Sequence, residues 1–249
     1  MTADSATFAW LVLLCVPLLA LTRWLSLHLQ GLGLLLSGSQ QTALLLHYLV
    51  LLPGILLHEA SHWVAAKLVG VKTKSISLRP KSRSGGSVRF GSVTVVKSDP
   101  FRESWIGLAP LLTGTAAILA LARWQFGIES VSPLTLQGIA DTLAASLKAP
   151  DALLGVYLIF AVSNAMWPSE SDRQPWGMVV LLLGLGAGIF YVAGLIPQLA
   201  AGVGQWVRTA VDYLAFAFAL AVSVDIPFAL LILLAEKTAE RALGRHVEY

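Results

Sequence analysis

Charge is what this sequence has least of. Only 12% of its 249 residues are charged, against 56% apolar, and the mean hydropathy is +0.74. Soluble domains are about a quarter charged, so a water-soluble globule is excluded. Cysteine is nearly absent too. The single Cys15 rules out an intramolecular disulfide framework and a cysteine-built zinc site. A net charge of +3 is too small to suggest nucleic-acid binding. The opening MTADSATFAW has no basic run before its apolar stretch, and no cleavage site follows, so a retained first span is expected. Alternating segments of the membrane-barrel kind are missing as well. Helices remain, because each satisfies its own backbone hydrogen bonds in lipid.

What is present reads as one all-α polytopic membrane domain with about six transmembrane helices, near 7–27, 42–70, 103–124, 151–167, 176–199 and 211–235. Basic residues gather in 71–102 (Lys72, Lys74, Arg79, Lys81, Arg83, Arg89, Lys97, Arg102) and in the tail (Lys237, Arg241, Arg245). Basic loops stay cytoplasmic, so six spans place both termini and the 71–102 loop inside. Trp24, Trp124 and Trp206 then mark the outer boundary, and Trp10, Trp105, Trp167 and Trp176 the inner one. Within the loop, SISL and VRFGSVTVV flank SRSGGS, the pattern of a small β-hairpin. Its edge could pair with an extended peptide, or the loop could simply set topology. LTLQGIADTLAASLK, 134–148, reads as a helix on the outer interface.

One stretch carries chemistry: LLPGILLHEASHWVAAKLVG, from Leu51 to Gly70. Charged and imidazole groups are costly in hydrocarbon, so their presence in an apolar helix points to function. His58 and His62 are one helical turn apart on one face and can reach a single ion. In H-E-x-x-H the glutamate is not a ligand. Glu59 would be the base toward a water that the metal activates. Imidazole ligands and hydrolytic use favour zinc. A structural alternative is a polar patch or a satisfied core pair.

A catalytic zinc needs about three protein ligands and an open position. His28, His47 and His246 are poorly placed for the third, although His47 could line a water path. Asp172, in AVSNAMWPSESDRQPWG, follows the helix-breaking Pro168 at the same membrane level and is the best candidate. Glu170 and the intramembrane Asp225 are its rivals. Asn164 could hold a substrate's extended backbone or fasten two helices.

On these residues the chain resembles the site-2 protease family of intramembrane zinc metalloproteases. The resemblance covers about Leu51 to Asp172: HEASH in an apolar helix, a basic β-like loop after it, and a later Asn/Pro/Asp motif. GLAPLLTG, 107–114, is similar to the family's small-residue segment. The later motif usually reads N-x-x-P-x-x-x-L-D-G. Here Asn164 and Pro168 are one residue further apart, Pro168 and Asp172 one closer, and Ser171 and Arg173 replace Leu and Gly. The resemblance implies His58, His62 and Asp172 as zinc ligands, Glu59 as base, Asn164 as a substrate contact, and a core of about 42–175. It implies a membrane-embedded or membrane-adjacent peptide substrate, and the expected location is a prokaryotic cell membrane. Two other readings stay open: a catalytically inactive relative acting as a binding or assembly partner, and a transporter using Asp225 and His47.

Overall fold

The computed structural model describes residues 3–77, 81–82, 88–89, 92–124, 127, 151–194 and 196–247. Helix α1 (Ala3–Ser37) turns back into α2 (Gln40–Val50) at Gly38, whose φ of 66° suits glycine. Ser39 caps α2, its side chain accepting from the Thr42 amide. After a break at Leu51 comes α3 (Leu52–Leu68). Pro53 in its first turn explains the break: it lacks an N–H, and its ring crowds the carbonyl four residues back. The two axes meet at 73°. The span expected over 42–70 is therefore a bent pair.

Four strands follow: β1 (Thr73–Ser77), β2 (Lys81–Ser82), β3 (Val88–Arg89) and β4 (Ser92–Val95). β1 pairs antiparallel with β4, with an irregularity between Thr73 and Ser75, and β2 pairs with β3. The hairpin expected in the basic loop is thus present as two short ladders. Asp99 then opens α4 (Pro100–Trp124), its Oδ1 accepting from the amides of Phe101 and Arg102. That bond from Arg102 holds the Asp99 carboxyl below its usual range. Next come α5 (Ala152–Ala165), the one-turn α6 (Glu170–Arg173), α7 (Trp176–Val192) and α8 (Ile196–Leu243). The interfacial helix expected at 134–148 lies outside the described residues.

Several long apolar helices suggest a membrane protein. α1, α4 and α8 contain stretches long and apolar enough to cross a bilayer. The pair α2–α3, and α5 with the helices after it (bent by 58°), raise the count among the described residues to five if each pair is one span. The expected six are not confirmed among the described residues, where the spans expected at 151–167 and 176–199 fall in one bent pair. Pro168 lies at the break: the backbone ahead of a proline avoids helical geometry.

Apolar burial does little to drive helices together in lipid, so close packing must hold them. A Cβ on Gly54 would lie 1.9 Å from the Ala161 carbonyl oxygen, so only glycine lets α3 and α5 approach this closely. Leu18, Leu25, Ile118, Ile159 and Phe160 fill the centre, where Phe160 stacks on Phe228 at 4.0 Å between ring centroids.

Contacts also fix helix directions. Along α8, Phe218 meets Trp167, Asp225 meets Ser163 and Asn164, and Phe228 meets Phe160, so α8 runs antiparallel to α5. Along α1, His28 pairs with Glu236 at 2.6 Å and Gly38 lies against the Arg245 guanidinium, so α1 and α8 run parallel. Arg241 and Arg245 therefore lie at the opposite end of the bundle from the basic hairpin that leads into α4. The expectation of both termini on one side needed an even number of separate spans, and this packing differs from it. Trp206 differs likewise. α8 is unbroken, and Trp206 precedes Glu236 by about 45 Å of helix at 1.5 Å per residue, so it does not share a boundary with Trp24.

Candidate metal centre

Three segments meet at one point. α3 brings His58 and His62 on one face, as their spacing of four requires. The end of α5 runs alongside α3 and supplies the Ala165 carbonyl. The turn after Pro168 brings Asp172. A Cβ on Gly107 of α4 would lie 2.2 Å from the Asp172 backbone oxygen, so this glycine lets the turn press against α4.

Hydrogen bonding fixes the imidazoles. His58 Nδ1 donates to Ala165 O at 2.7 Å, and His62 Nδ1 donates to Ile106 O at 2.9 Å. A carbonyl can only accept, so each Nδ1 carries the hydrogen. In a neutral ring Nε2 is then a bare lone pair. The two Nε2 atoms face each other at 3.1 Å. Asp172 Oδ1 lies 3.5 Å from His62 Nε2, and Asp172 Oδ2 lies 3.9 Å from His58 Nε2. One ligand atom from each residue falls within 4.8 Å of the others, so the cluster could hold a metal ion.

That geometry is the test of fit. Three acceptors converge with no donor between them, an arrangement that repels itself until a cation occupies the centre. Metal-bound histidines characteristically donate their second N–H to a carbonyl or carboxylate, which sets tautomer and ring orientation. Both rings do so here. Asp172 is held as well: its Oδ2 accepts from the Ser169 amide at 2.7 Å, closing a capping box on α6.

Glu59 follows His58 on α3 and is buried. Glu170 is exposed and outside the cluster. Asp225 is fully buried elsewhere, its Oδ1 accepting from Ser163 Oγ and Asn164 Nδ2, both at 3.0 Å. Neither rival joins the two histidines. Of the two roles expected for Asn164, the contacts show the fastening one: its NH2 donates to Asp225 and Phe160 O, and its Oδ1 has no partner among the described residues. It fastens α5 to α8.

A cleft of about 400 Å³ opens beside the cluster, lined by His62, Asp172, Glu103 and Met178 with Val93 and Val95 of β4. The two valines alternate along the strand and so share a face. β4 has β1 on one side and no strand on the other among the described residues.

Sequence reasoning missed the carbonyls of Ala165 and Ile106, for which no side-chain signal exists. It also missed Ser169, although the S-x-x-D spacing to Asp172 was readable. Comparison of the chain with family models, curated proteins and solved structures finds no match, so the reading of the site rests on its own residues and geometry.

Proposed function

We propose that the chain is a zinc metalloendopeptidase of the membrane, similar in plan to the site-2 proteases. The carrying observation is the pair of imidazoles whose Nε2 lone pairs converge with Asp172 while both Nδ1 atoms are tied to carbonyls. Ligands about 2.0–2.1 Å from a tetrahedral zinc stand roughly 3.3 Å apart, and the observed separations of 3.1, 3.5 and 3.9 Å bracket that value. Two histidines and a carboxylate leave the fourth position for water or substrate.

His58, His62 and Asp172 would hold zinc. When bound, zinc lowers the pKa of water and polarises a carbonyl. Glu59 takes a proton from the attacking water and returns it to the leaving amine. The substrate must lie extended at the moment of cleavage, since a helix hides its peptide bonds. The edge of β4 that no described strand pairs supports that: a peptide added there gains backbone hydrogen bonds, and Val93 and Val95 line the cleft that reaches His62 and Asp172.

The test is Glu59→Gln in purified protein, assayed on a membrane-adjacent peptide and for bound zinc. Zinc content should equal wild type while cleavage falls by about 100-fold or more. Cleavage at the wild-type rate removes Glu59 from the chemistry. A second reading, a non-catalytic membrane protein, is favoured by one observation: 3.1 Å is also an ordinary N–H···N distance, so a shared proton could stand where the metal would. It requires that no metal be retained.

A further inference from the structure

The cleft beside the metal cluster carries a carboxylate that neither the cluster nor the water chemistry uses. Glu103 stands on α4 three residues before Ile106 and four before Gly107, so the three share one face. Ile106 holds His62 and Gly107 seats the Asp172 turn. Glu103 therefore lies one helical turn, about 5.4 Å along the axis, from both anchor points. It lines the cleft together with His62 and Asp172.

One oxygen of Glu103 is already engaged. Its Oε1 accepts from the Ser98 amide at 2.7 Å, which fixes the carboxylate against the start of α4. Oε2 has neither a hydrogen bond nor an ion pair among the described residues, and it keeps contact with solvent. Lys97 also lines the cleft, but it is exposed and does not pair with Glu103. The other walls are mostly apolar, with Val93, Val95, Pro100, Ile106 and Met178.

These walls select by chemistry. An acidic side chain entering the cleft would meet Glu103 as a like charge. An apolar one would cover Oε2 and leave it without a partner, which is costly. Lys and Arg lay an apolar stem along apolar surface and carry a cation at the tip, so they satisfy both the walls and Oε2.

The strand edge supplies the route. On an added strand, the residue opposite Val93 or Val95 projects to the same face as that valine, which is the face toward the cleft. An extended chain advances about 3.3 Å per residue, so a side chain that reaches Glu103 belongs to a residue within about two positions of the bond at the metal.

We propose that Glu103 is a specificity residue, pairing its Oε2 with a Lys or Arg side chain of the substrate close to the cleaved bond. Its consequence for cleavage rests on the peptidase reading, whereas the pairing itself is a binding event that needs no hydrolysis.

The test uses the full chain in detergent, carrying Glu59→Gln and supplied with zinc so that peptides bind without turnover. Short fluorescent peptides, identical except for a central lysine, norleucine or glutamate, are titrated by anisotropy. The lysine peptide should bind about five- to tenfold more tightly than the norleucine peptide, between the worth of an exposed ion pair and that of a charge-assisted hydrogen bond. The glutamate peptide should bind more weakly than either. Glu103→Gln keeps an oxygen for the Ser98 amide, so it should bind norleucine as before while losing the preference for lysine. Should that variant not fold, salt makes the same comparison: at about 1 M, where the screening length is about 3 Å, the protein with Glu103 intact should lose its lysine preference. Equal binding of the lysine and norleucine peptides overturns the proposal. So does a lysine preference that survives Glu103→Gln or high salt, and so does failure of all three peptides to bind. Cleavage is scored separately with Glu59 restored. A lysine preference in binding without hydrolysis of any peptide would remove the peptidase reading and leave the Glu103 pairing in place.

Discussion

At the residue scale, the centre works through lone pairs aimed by hydrogen bonds that no motif encodes. His58 and His62 were legible because i, i+4 spacing on a helix leaves them one face, and their cost in lipid makes them conspicuous. Retention of a metal must fall steeply on acidification, since protons compete for the same Nε2 lone pairs. Dialysis of metal-loaded protein against a pH series should show this loss, whereas pH-independent retention would place the ion elsewhere. Asp172→Asn should weaken affinity by more than the roughly 10–100-fold that losing a supporting partner costs, while Asp225→Asn, remote from the cluster, should not. Asp172 could be named from sequence only as one carboxylate among three. What selects it is the turn after Pro168 and the Ser169 cap. The orienting carbonyls of Ala165 and Ile106 were illegible, because every residue has one.

At the element scale, the site depends on how closely helices approach. Gly107→Ala places a Cβ 2.2 Å from the Asp172 backbone oxygen, and backbone cannot swing aside as a long side chain can. The variant should keep its helical circular dichroism yet lose most of its metal affinity. Gly184→Ala, with nothing within 4 Å, should bind metal as wild type does. Equal metal binding by the two variants would show that the α4 contact does not position Asp172. Prolines mark both bends in the bundle; Pro168 was readable as a breaker, whereas Pro53 was not, because Pro17, Pro110 and Pro227 sit inside helices that continue past them. The reach of α8 was not: its 48 residues include polar positions that resemble a loop when read one window at a time.

At the scale of the whole molecule, the parallel packing of α1 on α8 puts the basic hairpin and the basic tail at opposite ends. Counting Lys and Arg could not reveal this, because the count orients a chain only once its spans are known. In a Cys15→Ser background, single cysteines at Lys74 and Arg245 should be labelled by an impermeant maleimide from opposite sides of oriented vesicles. Labelling of both from one side would contradict the packing. The central claim needs only the intact, detergent-purified chain and its metal content. Wild type and Glu59→Gln should each carry about one zinc per chain, as a three-ligand site with one open position holds, and His58→Ala and His62→Ala should carry almost none. Wild type as empty as the histidine variants, after purification with zinc supplied, would mean that a proton joins the imidazoles and that no metallopeptidase is present.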